Sequence, residues 1–395
     1  MKTICIAGKN DIAVDILEYC LKEFNTCRIT CSVCRNETGV NSWQKSLKWF
    51  AEKWGVEIIT LQQAYEIEDL LFISTEFDRI IKPEKFKTTD LYNIHFSMLP
   101  KYKGCAPSVL PILFGDGSTG VTLHRMRAGI DTGEIIEQRV LPIEGDCSLD
   151  LYGKLEKLGT EIVTENIPRL LSGDFECTPQ SKEGSTYFDI NYIDYKNLEL
   201  ITNRTACQIR NQIRAFAFRP YQLLKWNGCG YVDGTITDDV SVQKPGTILE
   251  ENGVYTKIAT IDYDLIMYKD TLEAIFDAIR EKDNDTAQRL CASNKIVNAK
   301  DEHGWSPLIV AVYNNNLEMV EYLINRGADI NVKNINGTNL LMYAKNCYVN
   351  SGDSSIFELL ISKGLSPESK DYIGKSLLDY CAEEHIEKIG SYILN

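Results

Sequence analysis

The stretch NIHFSMLPKYKG, residues 93–104, joins the end of an apolar strand to an irregular loop. Side chains two residues apart share one face of a strand, so Asn93 and His95 are expected to project together. Pro100 and Gly104 interrupt the segment that follows, which indicates a loop. Because ligands of open α/β sheets bind outside the carboxyl ends of strands, this stretch predicts a site at such an end.

Strand-like and helix-like patterns alternate around this stretch, which predicts a parallel α/β sheet of the Rossmann-like open type over residues 1–200. Short runs punctuated by glycines over residues 201–270 predict a small antiparallel β domain, with a helix at 205–216 leading into it. The strands predicted in the first part are 3–7, 27–34, 56–60, 70–74 and 91–95, and the helices are 12–24 and 42–54.

An internal repeat occupies the last part, residues 271–395. GWSPL at 304–308 is followed 33 residues later by GTNLL at 337–341, and 37 residues after that by GKSLL at 374–378. This period and start resemble ankyrin repeats, whose paired short helices bury a face only by stacking. Leu377 stands where a proline is usual, so the third unit is interpreted as a cap. We therefore predict an all-α ankyrin-repeat tail.

Charge and cysteine usage narrow the classes of function. The net charge of −14 repels polyanions, so no nucleic-acid partner is expected. Cys31 and Cys34 form the one close C-x-x-C pair among 13 cysteines, and without a second pair at zinc spacing we expect free thiols in a reducing cytoplasm. The segment 1–8 is too short for a signal peptide, and no apolar run is long enough to span a membrane, so no membrane partner is expected.

The polar residues that carry chemistry are few. Only four histidines occur in the chain, and a single histidine on a strand is more often packed or solvated than catalytic. The presence of Asn93 two residues before His95 makes a catalytic role of His95 more plausible, because both side chains face the same end of the predicted sheet. Asp131 lies between Gly129 and Gly133, which suits a tight turn that presents a carboxylate, either for catalysis or only to cap the turn.

The pattern N-x-H-x-S-x-L-P-x-Y-x-G at 93–104, followed by H-x-M-x-x-x-x-D-x-G-x-I at 124–135, resembles the 10-formyltetrahydrofolate-dependent formyltransferases. Within them the chain looks most like the sugar N-formyltransferases. Residues 71–83 are similar to their folate loop, and residues 213–222 are similar to the entry to their C-terminal β domain. The resemblance covers roughly residues 1–268 and leaves out the ankyrin-like tail.

The resemblance implies an enzyme that moves a formyl group from N10-formyltetrahydrofolate, without a metal, to the amine of a dTDP-linked amino-dideoxysugar. An ankyrin-like tail favours dTDP-3-amino-3,6-dideoxyglucose as the acceptor, for cell-surface polysaccharide such as O-antigen. Alternatives are a dTDP-4-amino sugar and methionyl-tRNA, although the acidity of the chain opposes tRNA. An alternative of another class is an ankyrin interaction scaffold with an inactive enzyme domain.

The resemblance also implies a triad of Asn93, His95 and Asp131. The first two would stabilise the oxyanion, and either His95 or Asp131 would be the final base. The residues implied for folate are Phe77, Arg79, Ile81, Met98 and Leu99. Candidates for the nucleotide sugar, each equally well explained by packing or solvation, are Lys9, Asn10, Trp43, Lys82, Tyr187, Arg219 and Tyr221.

The ankyrin tail has two interpretations. The simpler one is a surface for a protein partner or for a homodimer. The sharper one is a second nucleotide-sugar site, in which Trp305 stacks a planar ring together with Tyr343 or Tyr348. Against this, the stronger expectation is that Trp305 packs between the repeats.

Overall fold

The computed structural model describes residues 1–219, 221–381 and 389. Pro220 of the predicted β-domain entry and the rest of the predicted ankyrin tail, 382–388 and 390–395, lie outside them. The chain divides into two compact units. The first comprises Met1–Leu198 and Arg214–Phe216, and the second comprises Glu199–Ile213 and Ala217–Asn395.

The first unit is built on a seven-stranded mixed sheet with the strand order β3-β2-β1-β4-β5-β7-β8, beside a separate ribbon of β6 and β9. The first five strands of that order are parallel, whereas β7 runs antiparallel to both β5 and β8. The strands are β1 (Thr3–Gly8), β2 (Arg28–Val33), β3 (Glu57–Ile58), β4 (Leu70–Thr75), β5 (Leu91–His95), β6 (Lys103–Gly104), β7 (Ser118–Arg125), β8 (Ile135–Pro142) and β9 (Tyr187–Phe188).

The prediction of a Rossmann-like open α/β sheet is confirmed, but the expectation that all of its strands are parallel is wrong for β7, which pairs antiparallel with both β5 and β8. For its pairing with β8, the reason is the connection between the two strands. A loop at 126–134 joins β7 to β8 without a helix, and only antiparallel neighbours accept so short a link, because parallel strands need a crossover.

Five helices accompany the sheet: α1 (Asn10–Glu23), α2 (Leu47–Trp54), α3 (Leu61–Tyr65), α4 (Leu110–Phe114) and α5 (Ser148–Ser172). Helix α2 begins at Leu47 and not at residue 42 as predicted, because the Ser46 side chain caps it by accepting a hydrogen bond from the Trp49 amide. Within the described part of the chain, no helix is both long and apolar enough to cross a membrane.

Helix α5 covers the sheet face opposite to the predicted site. Its Gly159 packs so closely that an added Cβ would lie 3.1 Å from the ring of Phe96 and 3.4 Å from Ile94. Residues 94 and 96 alternate with 93 and 95 along the chain, so their side chains point to the other face. The faces of Asn93 and His95 are therefore left uncovered by this helix.

The second unit contains a five-stranded antiparallel sheet with the order β10-β11-β14-β13-β12, which confirms the predicted antiparallel β domain. Helix α6 (Ala206–Phe216) precedes these strands in the chain. The strands are β10 (Leu224–Trp226), β11 (Cys229–Val240), β12 (Ile248–Glu251), β13 (Tyr255–Ile258) and β14 (Tyr263–Lys269).

The secondary-structure elements described after β14 are helices joined by turns, as the ankyrin pattern predicted. Ser306 and Asn339 cap equivalent helices by accepting hydrogen bonds from backbone amides three residues later. Gly304 and Gly337, with φ of 76° and 79°, occupy the turns before them, where a side chain would be strained. The helices are α7 (Leu272–Arg280), α8 (Asn284–Leu290), α9 (Asn294–Val297), α10 (Pro307–Tyr313), α11 (Leu317–Asn325), α12 (Leu340–Ser351) and α13 (Ser355–Ser362).

Candidate active site

Strand β5 and the loop at 126–134 bring Asn93, His95 and Asp131 to one place. Asn93 and His95 project from the same face of β5, and the loop carries Asp131 over that face. His95 Nδ1 lies 3.5 Å from Asp131 Oδ2, and the two side chains are only 8% and 11% exposed. The structure thus assembles the three residues that the sequence singled out, from two separate segments.

The ring of His95 is oriented by the loop that follows β5. Its Nε2 lies 2.8 Å from the carbonyl oxygen of Tyr102. A carbonyl only accepts, so Nε2 carries the hydrogen and donates it. Nδ1 is therefore the nitrogen that faces Asp131 and, in the neutral ring, the one that holds a lone pair.

Asp131 is held as a carboxylate. The Gly104 amide donates a hydrogen bond of 2.9 Å to its Oδ2. Burial by itself raises the pKa of the Asp131 carboxyl, but positive charge on the neighbouring ring of His95 and the hydrogen bond from the Gly104 amide outweigh burial and hold that pKa well below its usual range. The group is therefore ionised throughout the neutral range.

The glycine of the D-x-G motif has a steric cause. A Cβ on Gly133 would collide with the carbonyl oxygen of Arg125, at the end of β7. Only glycine permits this close return of the loop. The side chain of Gln180 then fastens the loop, because its Nε2 donates to the carbonyl oxygens of Asp131 at 2.9 Å and Gly133 at 2.7 Å.

Sequence reasoning gave no role to three of these neighbours: Tyr102, Gln180 and His124. His124 already stands in the second motif, so its place there was a usable signal. Gln180 has no such signal, because it lies far along the chain from the loop that it fastens. Among the described residues, no group of histidine, cysteine and carboxylate side chains is arranged to hold a metal.

The residues implied for folate lie in two places. Phe77 and Ile81 are partly buried against an apolar cluster, and the guanidinium of Arg79 lies over the Phe77 ring at 5.6 Å. Met98 is partly buried, whereas Leu99 is only 3% exposed and is a packing residue in this conformation.

The loop after β4 also holds unsatisfied polar atoms. Arg79 Nε and Asp78 Oδ1 are buried without a hydrogen-bond partner and face each other at 3.9 Å, which is an ion-pair contact but too long for a hydrogen bond. Buried polar groups are rarely left in this state unless a ligand or water satisfies them. The loop therefore fits a ligand whose edge carries both hydrogen-bond donors and acceptors.

A buried polar network follows the carboxyl ends of β1 and β4. The Asn10 amide donates to the Tyr152 hydroxyl at 2.8 Å and to Glu76 at 3.1 Å. The same hydroxyl lies 2.6 Å from Glu76 and 3.1 Å from Glu156, and Gln44 donates to Glu156 at 2.8 Å. Asn10, a candidate for the nucleotide sugar, is therefore engaged within the protein.

Two carboxyl groups lie within hydrogen-bond distance of the Tyr152 hydroxyl, which can donate to only one of them. The Tyr152 hydroxyl has a single hydrogen, which goes to the closer carboxylate, Glu76. Glu156 must then carry its own proton to donate to the hydroxyl oxygen. In agreement, burial and the nearby charge of Glu76 raise the pKa of Glu156 well above its usual range.

The other candidates for the nucleotide sugar in the first unit differ in exposure. Lys9 is partly exposed between β1 and α1, and the Trp43 ring lies 5.7 Å from the Tyr152 ring. Lys82 is exposed, and Tyr187 on β9 is 54% exposed.

The remaining candidates belong to the second unit. Arg219 forms an ion pair with Asp270, and Tyr221 is 69% exposed. Trp305 is partly buried against the core of the helices, with its ring 5.6 Å from that of the buried Tyr343 and 5.2 Å from that of Tyr313. Tyr348 also packs against this core.

Comparison with known proteins agrees with this geometry. A family model described as formyl transferase matches residues 51–167, and one described as ankyrin repeats (3 copies) matches residues 257–334. The methionyl-tRNA formyltransferase of Lactiplantibacillus plantarum is 29% identical over 212 residues, which are 52% of this chain and 67% of that protein.

Two solved structures are more similar. The N-formyltransferase from Helicobacter canadensis, in complex with folinic acid and dTDP-3-aminofucose, is 41% identical with a TM-score of 0.64, and covers 68% of this chain and 100% of its own. WlaRD, a sugar 3N-formyl transferase in the presence of dTDP and 5-N-formyl-THF, is 40% identical with a TM-score of 0.64, and covers 68% of this chain and 98% of its own. The chain therefore belongs to the N-formyltransferases of the formyl transferase family and carries ankyrin repeats after its catalytic part.

Proposed function

We propose that this enzyme formylates the amine of a dTDP-linked amino-dideoxysugar, with N10-formyltetrahydrofolate as the donor. The observation that carries the proposal is the joint position of Asn93, His95 and Asp131 in a chain that is 41% identical to a protein solved with folinic acid and dTDP-3-aminofucose. Both similar structures concern an amine on carbon three, so dTDP-3-amino-3,6-dideoxyglucose is our preferred acceptor. Its product would serve cell-surface polysaccharide such as O-antigen, and free thiols favour the cytoplasm as the compartment.

The donor fits the residues that are present. The unsatisfied Arg79 Nε and Asp78 Oδ1 suit the hydrogen-bonding edge of a pterin, beside the apolar side chains of Phe77 and Ile81. When bound, N10-formyltetrahydrofolate supplies the formyl group, and everything else in the reaction depends on the chain's own side chains.

Asn93 stabilises the charge that develops during attack. As the sugar amine adds to the formyl carbon, the formyl oxygen becomes an oxyanion. An amide N–H of Asn93, fixed before the reaction, is worth more to that oxyanion than to the uncharged carbonyl oxygen.

His95 is the better candidate for the proton of the attacking amine. Its Nε2 is engaged with Tyr102, so Nδ1 is the free base, and the imidazolium that forms lies beside the ionised Asp131. Asp131 is itself a weak base, because its pKa is held below the usual range. We therefore assign proton acceptance to His95 and the stabilisation of its charged form to Asp131. His95 would then return this proton to N10 as the oxyanion collapses and the bond between N10 and the formyl carbon breaks, so that tetrahydrofolate leaves.

A formyl-transfer assay tests the proposal. The wild-type chain is offered dTDP-3-amino and dTDP-4-amino sugars with N10-formyltetrahydrofolate, and product is followed by mass spectrometry. Formylation of a 3-amino sugar is expected, and preference for a 4-amino sugar would correct the position of the amine. Absence of transfer to every acceptor would favour the alternative of an ankyrin scaffold with an inactive enzyme domain.

The role of His95 is tested by substitution. His95→Asn should lower kcat by about 10²- to 10⁴-fold, because it removes a general base. His303→Asn is the matched control, since the side chain of His303 is 66% exposed in the second unit, and its kcat should stay at the wild-type value. Near-normal turnover of the His95 variant contradicts the assignment.

A further inference from the structure

His124 on β7 lies directly opposite Asn93 on β5 in the antiparallel register. Side chains of directly opposed residues share a face of the sheet, so the imidazole lies beside the Asn93 amide. His124 is only 2% exposed, and its Nε2 is 3.6 Å from Asp131 Oδ1. The ring thus lies next to two members of the triad and is screened from solvent.

The contacts of this ring determine which nitrogen carries the hydrogen. His124 Nδ1 lies 2.8 Å from the carbonyl oxygen of Arg125. Since a carbonyl only accepts, Nδ1 donates, and in the neutral ring Nε2 is left as an acceptor. The backbone of β7 therefore selects the tautomer.

This tautomer fixes the orientation of the catalytic amide. Asn93 Nδ2 lies 3.1 Å from His124 Nε2, and only the N–H side of an amide satisfies an acceptor. The Asn93 amide is thereby kept from turning its oxygen towards the ring. One of its two N–H bonds goes to His124, and the second is left for the substrate.

We propose that His124 is a positioning residue for formyl transfer: it holds the Asn93 amide so that the remaining N–H points at the formyl oxygen. The inference rests on the proposed function, because His124 acts through Asn93, whose role in formyl transfer is part of that proposal. Without the ring nitrogen, the amide samples orientations that present its oxygen to the developing oxyanion, which is repulsive.

The first test needs no activity. The 15N chemical shifts of the imidazole nitrogens of the full chain report each histidine tautomer, and only four histidines occur. His124→Phe identifies the signal of residue 124 by its loss. A neutral ring protonated at Nδ1 is expected, and a ring protonated at Nε2 would overturn the inference, since it has no acceptor for Asn93.

The second test separates positioning from a structural role. His124→Phe keeps the bulk of the ring and should lower kcat about 10- to 100-fold with little change in the KM of either substrate, because misplacement by about 1 Å costs on the order of 10² in rate. His124→Gln offers an amide oxygen as acceptor and should recover most of the loss. Thermal unfolding of each variant checks that the fold is kept.

A double-mutant cycle completes the test. In an Asn93→Ala background, His124→Phe should cause little further loss in kcat, because its effect acts through the missing amide. An undiminished further loss, or wild-type kcat in the single variant, refutes the role of His124. The wild-type assay on the sugar panel decides the proposed function separately, and if another amine proves to be the acceptor, the cycle is run on that amine.

Discussion

Glu156 shows how a buried carboxyl group is kept neutral by its surroundings. It lies close to the Tyr152 hydroxyl, whose single hydrogen is directed to Glu76. Two ionised carboxylates that share one hydroxyl group in a buried site repel each other, so one of them keeps its proton. The raised pKa of Glu156 means that the native state binds more protons than the unfolded state at pH values above about 4.5. Stability is then lost as pH rises through this window.

Glu156→Gln should therefore become relatively more stable as pH increases. Near pH 5 both proteins have a neutral, hydrogen-bonding group at position 156, so their melting temperatures should be similar. Towards pH 8 the wild-type carboxyl is opposed by Glu76, and the variant should unfold at the higher temperature. Glu161→Gln, exposed on the same helix α5, is the control and should show no such trend. A difference in melting temperature that is independent of pH would contradict a neutral Glu156.

Single residues also mark the limit of what the sequence predicts about the site. Asn93 and His95 could be paired because they lie two apart on one strand, and Asp131 stands in a recognisable motif. The network of Asn10, Tyr152 and Glu156 could not be predicted, because it joins two distant segments, the start of α1 and the helix α5, which meet only through tertiary packing. For the same reason, the sequence could not predict that the Asn10 side chain forms hydrogen bonds within the protein.

At the level of the elements, the turns before α10 and α12 depend on a glycine, Gly304 and Gly337 respectively. Gly337→Ala introduces a Cβ at a φ of 79°, at 2.7 Å from the amide nitrogen of Tyr372. Gly364→Ala is the matched control, with a φ of 90° and open space around the new Cβ. The control should lower the free energy of unfolding by about 1–2 kcal/mol, and Gly337→Ala by about 2–4 kcal/mol.

Urea unfolding monitored by circular dichroism, with hydrogen exchange to locate the loss in α10 and α12, measures both variants. Equal losses for the two glycines would show that the close approach of Tyr372 relaxes at no cost.

The aromatic cluster of the ankyrin helices leads to a second prediction at this level. Trp305, Tyr313 and Tyr343 have ring centroids within 6.1 Å of one another, and Tyr313 is 51% exposed. We expect a nucleobase to stack there, because every nucleobase has a π-face on which an aromatic side chain can stack. Calorimetric titration of the full chain with dTDP should then show two binding events, and Trp305→Ala should lose one. Unchanged stoichiometry in the variant supports the packing interpretation.

The elements that the sequence predicted well are those with a local cause. The pattern of β1, β4 and β5 is a run of buried apolar residues, and the ankyrin start combines a turn glycine with a capping side chain. The antiparallel course of β7 was missed because strand direction depends on the connection and leaves no periodic signal. The start of α2 was misplaced because Ser46, a cap, stands in an otherwise helical pattern.

At the scale of the whole molecule, net charge separates the candidate acceptors. A chain with a net charge of −14 repels the tRNA backbone at long range and slows its encounter. We expect kcat/KM for methionyl-tRNA to lie at least about 10²-fold below that for a dTDP-3-amino sugar at low salt. Competition between the two acceptors in one reaction measures the ratio. Comparable rates would show that a local basic surface overrides the net charge.

The spacing of 33 residues between the turn glycines at 304 and 337 has a consequence for the evolution of the gene. Because each helix pair of an ankyrin array rests only on its neighbours, the array tolerates the gain or loss of a whole unit. Unequal recombination between the coding segments of two such units, 33 codons apart, keeps the reading frame. It also joins the turn of one unit to the equivalent position of another unit. Homologous genes are thus expected to differ in copy number here, while the segment that encodes the triad keeps a constant length.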